Sequence, residues 1–286
     1  MSPSNEMQGK ICVVTGANSG IGKETARGLA RMGAHVVMVC RNSQKGEAAL
    51  EEIRGEPGAQ QVDLLIADLA GLRAVRDLSA QIHAKYTRLD VLVNNVGAVF
   101  SRRQLSPDGL EMTMALNHLG VFLLTLLLLD LLKSSAPSRI VNVSSTAHAH
   151  ARIDLNDLQF ERRKYGGFRA YGQSKLMMNL FTVELARRLK GTGVTVNAVH
   201  PGVVATNFGS EGGAVIFKMI FGLFRPLMLT SAQGARTTLH VATSPEGAER
   251  SGEYFAKSKV AKPNPLSLDP QLAAGLWQVS EALTGA

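Results

Sequence analysis

Residues Lys10–Ala26 read KICVVTGANSGIGKETA. An apolar run rich in Val and Ile passes straight into Gly16, Gly20 and Gly22, spaced G-x-x-x-G-x-G, and an amphipathic helical pattern begins at Gly20. Glycines allow a tight turn and a close approach of backbone to a pyrophosphate, whose charge the amides of the following helix N-terminus then meet. Such a motif is weak evidence by itself. Placed after a first strand and at the opening of a first helix, it has the context a dinucleotide site requires, with Ser19 and Ile21 set between the glycines.

The rest of the chain repeats this alternation. Strands are predicted at Lys10–Thr15, His35–Cys40, Val62–Ala67, Asp90–Asn94, Arg139–Ser144, Val194–His200 and Gly252–Phe255. Helices are predicted at Gly20–Met32, Ser43–Arg54, Ala70–Lys85, Pro107–Lys133, Phe168–Lys190, Ser231–Ala242 and Pro270–Leu283. Most of the strand runs are apolar throughout, which suits strands covered on both faces. No repeat or Pro/Gly/Ser linker divides residues 1–286. The expectation is a single α/β domain, a doubly wound, Rossmann-type parallel sheet of about seven strands with helices on both faces and its ligand at the strands' carboxyl ends.

Composition narrows the function. A hydrophobic content of 45% and a charged content of 19% suit a globular domain with a sizeable core. The formal charge of +8 comes from basic residues scattered in twos and threes rather than in a stripe, so an anionic small molecule fits it better than nucleic acid. Cys12 and Cys40 lie inside apolar runs without metal-ligand spacing, which predicts two buried thiols and no metal site. The opening MSPSNEMQGK has neither the apolar core of a signal peptide nor the Arg-rich character of a transit peptide. Leu119–Leu132, the longest apolar run, is interrupted by Asp130 and too short to span a bilayer comfortably. A cytoplasmic protein is expected.

Polar residues gather at the predicted strand ends. The second strand ends in Arg41 and Asn42, where a carboxylate would suit a free ribose hydroxyl; an arginine suits a 2′-phosphate, favouring NADP(H) over NAD(H). Asp68 and Leu69 end the third strand and could address the adenine, Asp68 equally reading as a helix cap. The fourth strand runs into Asn95, Val96 and Gly97, and the fifth into Ser144 and Ser145. Tyr171 and Lys175 are four apart, hence on one helical face. Hydride transfer to a carbonyl carbon needs a proton donor at its oxygen; a tyrosine can serve if a nearby cation favours its phenolate, and a serine hydroxyl can hold that oxygen.

TGANSGIG, NNVG, NVSS, YGQSK and HPGVVATN, in this order, resemble the motifs of the short-chain dehydrogenase/reductase family from about Lys10 to Phe255. The resemblance implies Tyr171 as acid/base, Lys175 as ribose ligand and modulator of Tyr171, Ser145 rather than Ser144 as substrate-orienting serine, and Asn117 as the anchor of a proton-relay water. It also implies that Asn95 and Gly97 line the cofactor cleft and that Pro201, Gly202, Val204 and Thr206 clasp the nicotinamide. NVSSTAH, DLNDLQF, AYGQSK and HPGVVATN are similar to the retinol dehydrogenase-like branch, whose members commonly use NADP(H) on lipophilic alcohols and aldehydes. Val96 stands where the family usually has alanine, Ser19 where NADP-preferring members often have a basic residue, and the start of the chain shows no apolar anchor.

The resemblance also implies a homodimer or homotetramer through the helices carrying Asn117 and Tyr171. Residues 207–230, apolar from Ile216 to Met228 with Lys218 and Arg225 interleaved, are expected to form a substrate-side lid. Peripheral membrane contact and an ordinary buried helix are the alternatives there. A catalytically silent dinucleotide-binding sensor or scaffold is the competing function. The intact Asn117, Ser145, Tyr171 and Lys175 set argues for the enzyme.

Overall fold

A computed structural model of the chain describes residues 6–59, 61–204 and 229–286. The strands are β1 (Ile11–Thr15), β2 (His35–Cys40), β3 (Val62–Ile66), β4 (Val91–Asn94), β5 (Ser138–Val143), β6 (Val194–His200), β7 (Tyr254–Ala256) and β8 (Lys259–Val260). They form one sheet in the order β3-β2-β1-β4-β5-β6-β7-β8. The first seven strands are parallel, as expected, and the short β8 adds an antiparallel edge beside β7. The order reverses between β1 and β4, where a doubly wound sheet opens its ligand crevice.

The helices are α1 (Gly20–Arg31), α2 (Ser43–Arg54), α3 (Leu72–Lys85), α4 (Met112–Met114), α5 (Gly120–Leu127), α6 (Leu129–Ser134), α7 (Gly167–Arg188), α8 (Ser231–Thr243), α9 (Pro245–Glu249) and α10 (Pro270–Thr284). Alternate strand residues feed two cores. Val13, Val37, Val39 and Leu92 pack with α3, α5 and α7, while Cys12, Val14, Val36 and Met38 pack with α1, α2 and α8. This two-sided burial explains why the strand runs are apolar without alternation. Both cysteines are buried free thiols.

The predicted Pro107–Lys133 helix differs most. Gly109 adopts φ 75° and Leu105 bridges to Glu111, so the chain turns before it can coil. Glu111 then caps α4, its carboxylate accepting from the amides of Thr113 and Met114. A π turn spans Ala115–Leu119, and a second break falls at Leu128, whose ψ is 4°. The Leu119–Leu132 run concealed the break at Leu128, and the Ala115–Leu119 stretch carries no periodicity signal for a widened turn. Among the described residues, no helix is long and apolar enough to cross a membrane.

α10 lies against α7. Trp277 meets Phe122 edge-on at 5.0 Å between centroids and stacks on Phe181 at 5.9 Å, with the Arg188 guanidinium 3.9 Å from the indole. Arg76 donates to the carbonyls of Thr284 and Gly285, at 2.7 and 3.0 Å, fixing the far end. Replacing Trp277 by alanine is expected to lower the unfolding free energy by about 3–5 kcal/mol. Urea denaturation measures it, and an unshifted midpoint would show that α10 is not seated on α7.

Candidate active site

The crevice is built first by a seam between β1 and β4. The Thr15 hydroxyl accepts from the amides of Asn95 and Val96, at 3.0 and 3.1 Å, and donates to the Val93 carbonyl at 3.3 Å. Asn95 returns its amide nitrogen to the carbonyls of Thr15 and Gly16, at 2.9 and 3.3 Å. Gly22 presses onto this seam: a Cβ there would lie 2.3 Å from the Gly16 carbonyl oxygen and 2.4 Å from Asn95 Nδ2. Gly16 and Gly20 adopt φ 67° and 58°, where side chains strain. Ser19 precedes α1 in extended conformation and its side chain makes no capping bond, while Ile21 is half-buried beside it. This glycine cradle and helix start fit the pyrophosphate of a dinucleotide.

Farther along, Arg41 and Asp68 face each other across the ends of β2 and β3, with 3.7 Å between Nη1 and Oδ2 and both side chains about half exposed. Asn42 caps α2 by accepting from the Lys45 amide at 2.8 Å. Asp68 Oδ1 accepts from the Ala70 amide at 3.1 Å, and Asp108 supplies the acceptor for the first amide of α3, that of Leu72, at 2.8 Å. α3 therefore starts two residues after the predicted Ala70. The Leu69 side chain is buried in the core.

The second half of the crevice gathers the residues expected to do chemistry. Tyr171 and Lys175 lie on the first turns of α7, with Lys175 Nζ 5.6 Å from the Tyr171 ring centroid. Nζ donates to the Val143 carbonyl at 2.7 Å, tying α7 to the end of β5. A Cβ on Gly97 would sit 3.3 Å from Nζ and 3.5 Å from Asn117 Oδ1, so the β4 loop lies directly against both. Asn117, in the π turn, accepts from the Ala98 amide at 2.9 Å and donates to the Ala98 carbonyl and to Ser174 Oγ, each at 3.0 Å. Ser174 in turn donates to the Tyr171 carbonyl at 2.8 Å.

The two serines have different work. Ser144 Oγ is buried and donates to the Lys175 carbonyl at 3.3 Å. Ser145 Oγ hydrogen-bonds the Tyr171 hydroxyl and accepts from the Ala147 amide at 3.2 Å. Pro201, Gly202 and Val204 follow β6 into the same edge, with Gly202 at φ 90° and Val204 bridged to Leu229. Thr206 and residues 207–228 of the expected lid lie outside the described residues. Among the described residues no cluster of metal-ligating side chains occurs.

The protonation pattern departs from the expectation that Lys175 lowers Tyr171. Burial dominates and pushes the Tyr171 phenol up to about 12, opposed by the Ser145 hydrogen bond. Burial likewise pulls the Lys175 ammonium down to about 8. Each charged form loses more hydration than its neighbours return. Tyr171 thus holds its proton at neutral pH.

Thr15 escaped the sequence reading as a site residue because it closes an ordinary strand. Its signal was the polar residue between an apolar run and the glycine turn.

A doubly wound sheet with a glycine cradle at its switch point and a Ser–Tyr–Lys set across the crevice defines a nicotinamide-dinucleotide oxidoreductase. Residues 10–214 match the short chain dehydrogenase family. The chain is 45% identical to human retinol dehydrogenase 13 over 281 residues, covering 97% of this chain and 85% of that protein. The crystal structure of an uncharacterised protein from Mycobacterium paratuberculosis superposes with a TM-score of 0.80 at 35% identity, covering 99% of this chain and 96% of that one. A Burkholderia cenocepacia short chain dehydrogenase in complex with NADP gives 0.69 at 26% identity, over 88% and 97% of the two chains. The chain belongs to the short-chain dehydrogenase/reductase family, in its retinol dehydrogenase-like branch, whose enzymes act on CH–OH and C=O groups.

Lys175 supplies a pH signature in the cofactor-free protein. Between about pH 8 and the ordinary lysine value of 10.5 the unfolded chain keeps a proton that the folded one has released, so stability rises with pH across that window. Lys175→Met removes this contribution. The stability of the parent relative to the variant should therefore increase from pH 8 upward in urea titrations, and a flat difference would show that the ammonium is not desolvated.

Proposed function

We propose that the protein is an NADP(H)-dependent reductase of lipophilic aldehydes or ketones, retinal-like compounds among them. The observation that carries the chemistry is the Ser145–Tyr171 hydroxyl pair, set beside Lys175 and closed in by Gly97 and Asn117. NADP(H), when bound, supplies or takes up the hydride at the substrate carbon. Ser145 and Tyr171 present two hydroxyls that can hold one substrate oxygen, and Tyr171, protonated at neutral pH, delivers the proton that turns a carbonyl into an alcohol. Lys175 returns positive charge as the phenolate forms. Asn117 keeps the Gly97–Ala98 loop and α7 at fixed separation.

Support for NADP(H) is Arg41, which ends β2 where a 2′-phosphate would sit, together with the NADP complex of the Burkholderia dehydrogenase. The lipophilic substrate class follows from the retinol dehydrogenases among the relatives and from the apolar composition of residues 216–228. Assembly through the outer face of α7 is disfavoured, because α10 already covers it; a dimer or tetramer would use another face.

Tyr171→Phe is expected to bind NADPH within about twofold of the parent while losing at least about a hundredfold in kcat on an aldehyde and ketone panel containing retinal. Full turnover in that variant would sink the mechanism. Arg41→Asp places a carboxylate beside Asp68 and should move the ratio of kcat/KM values from NADPH toward NADH; an unaltered ratio would remove Arg41 as the phosphate reader.

A further inference from the structure

We propose that His148 and Asn264 are positioning residues that set the backbone of Ser145, and through it the hydroxyl paired with Tyr171. His148 ends the short 3-10 turn Thr146–His148, which Ser145 caps. It is 2% exposed, and a loop histidine of that kind would ordinarily be solvated. Asn264 lies in the segment after β8, 116 residues away in sequence.

The hydrogen bonds leave one consistent proton placement. The Asn264 backbone N–H can only donate, and it does so to His148 Nε2 at 3.1 Å. The remaining ring proton is then on Nδ1, which faces the Ser145 carbonyl and donates to it. A neutral imidazole satisfies both ends, and burial, which lowers the His148 pKa, keeps it neutral. Asn264 further donates its side-chain amide to the carbonyls of His148, Ala149 and Ala151, at 2.9, 3.2 and 3.2 Å. Its own Oδ1 accepts from the Leu266 amide at 3.0 Å, which anchors it in the 3-10 turn Pro265–Leu268.

The consequence reaches Tyr171. With the carbonyl of Ser145 held by His148, the turn presents the Ala147 amide to Ser145 Oγ at 3.2 Å. That bond occupies a lone pair of the hydroxyl and directs its proton onto the phenol oxygen, consistent with the downward pull of Ser145 on the Tyr171 pKa. The Tyr254 ring, edge-on to the imidazole at 4.9 Å between centroids, closes the remaining side. A catalytic hydroxyl displaced by a fraction of an ångström loses alignment rather than affinity. The phosphate cradle lies on β1 and α1, away from this link.

This inference rests on the reading that Ser145 and Tyr171 carry the chemistry, so Tyr171→Phe is assayed alongside. The variants are His148→Ala, His148→Asn and Asn264→Ala, each measured with NADPH and the best substrate of the aldehyde and ketone panel. His148→Asn keeps a side-chain donor at the reach of Nδ1. Expected is a loss of about tenfold or more in kcat for His148→Ala and Asn264→Ala, with the NADPH Kd within about twofold, and recovery of most of the loss in His148→Asn. The proposal is overturned if folded His148→Ala keeps kcat within about twofold of the parent, or if His148→Asn does no better than His148→Ala. Should circular dichroism show His148→Ala unfolded, a parental kcat in Asn264→Ala overturns it instead. An active Tyr171→Phe would fail the functional reading itself, separately from these outcomes.

Discussion

A lysine ammonium held away from water governs this site. Lys175 donates to the Val143 carbonyl at 2.7 Å, and that bond joins α7 to the end of β5. Burying an ammonium is expensive unless the surroundings are shaped for it, and here they are: Gly97 leaves room on one side, and Asn117 fixes the loop carrying Gly97 on the other. The cost appears as a lowered lysine pKa beside a raised tyrosine pKa: burial disfavours the charged form of each, yet an ammonium with a pKa of about 8 still keeps its proton at neutral pH. A dinucleotide bound in the crevice would add acceptors and negative charge near the lysine and would offset part of this desolvation.

Behind Tyr171 and Ser145 runs a buried polar seam. Asn94 donates to Thr125 Oγ1 at 3.0 Å and to Asn142 Oδ1 at 2.9 Å, Asn142 donates to Thr182 Oγ1 at 2.9 Å, and Thr182 donates to the Met178 carbonyl at 2.8 Å. The seam crosses from α5 through β4 and β5 to α7. Directional bonds in an apolar core resist register slips that hydrophobic packing alone would tolerate. The ends of β4 and β5, which present Asn95 and Ser145, are thereby held at a fixed offset from Tyr171.

The alternation of strand and helix was plain in the sequence because both sheet faces are covered, and seven strands emerged within a residue or two of their observed bounds. The site was legible for the same reason: strand ends that turn polar after an apolar run must point somewhere, and in a parallel sheet they point together. What stayed hidden depended on distant partners. The break at Leu128 lies in an unvarying apolar run, the π turn around Asn117 has no period of its own, and the short β8 and α9 carry too few residues for any period. Nothing in the sequence marks His148 as buried, since its partner Asn264 is brought to it only by the packed fold. The tyrosine pKa is a property of burial, which four-residue spacing does not disclose.

The flank of α7 is finished by residues far downstream of Tyr171 and Lys175: Asn264 braces the turn beside Ser145, and Trp277 caps the aromatic cluster against Phe181. During synthesis, α7 leaves the ribosome well before either. An apolar side of α7 therefore stays uncovered in the nascent chain until α10 arrives. The aromatic face of α7 and the brace beside Ser145 are thus completed only after residues 264–277 have been made.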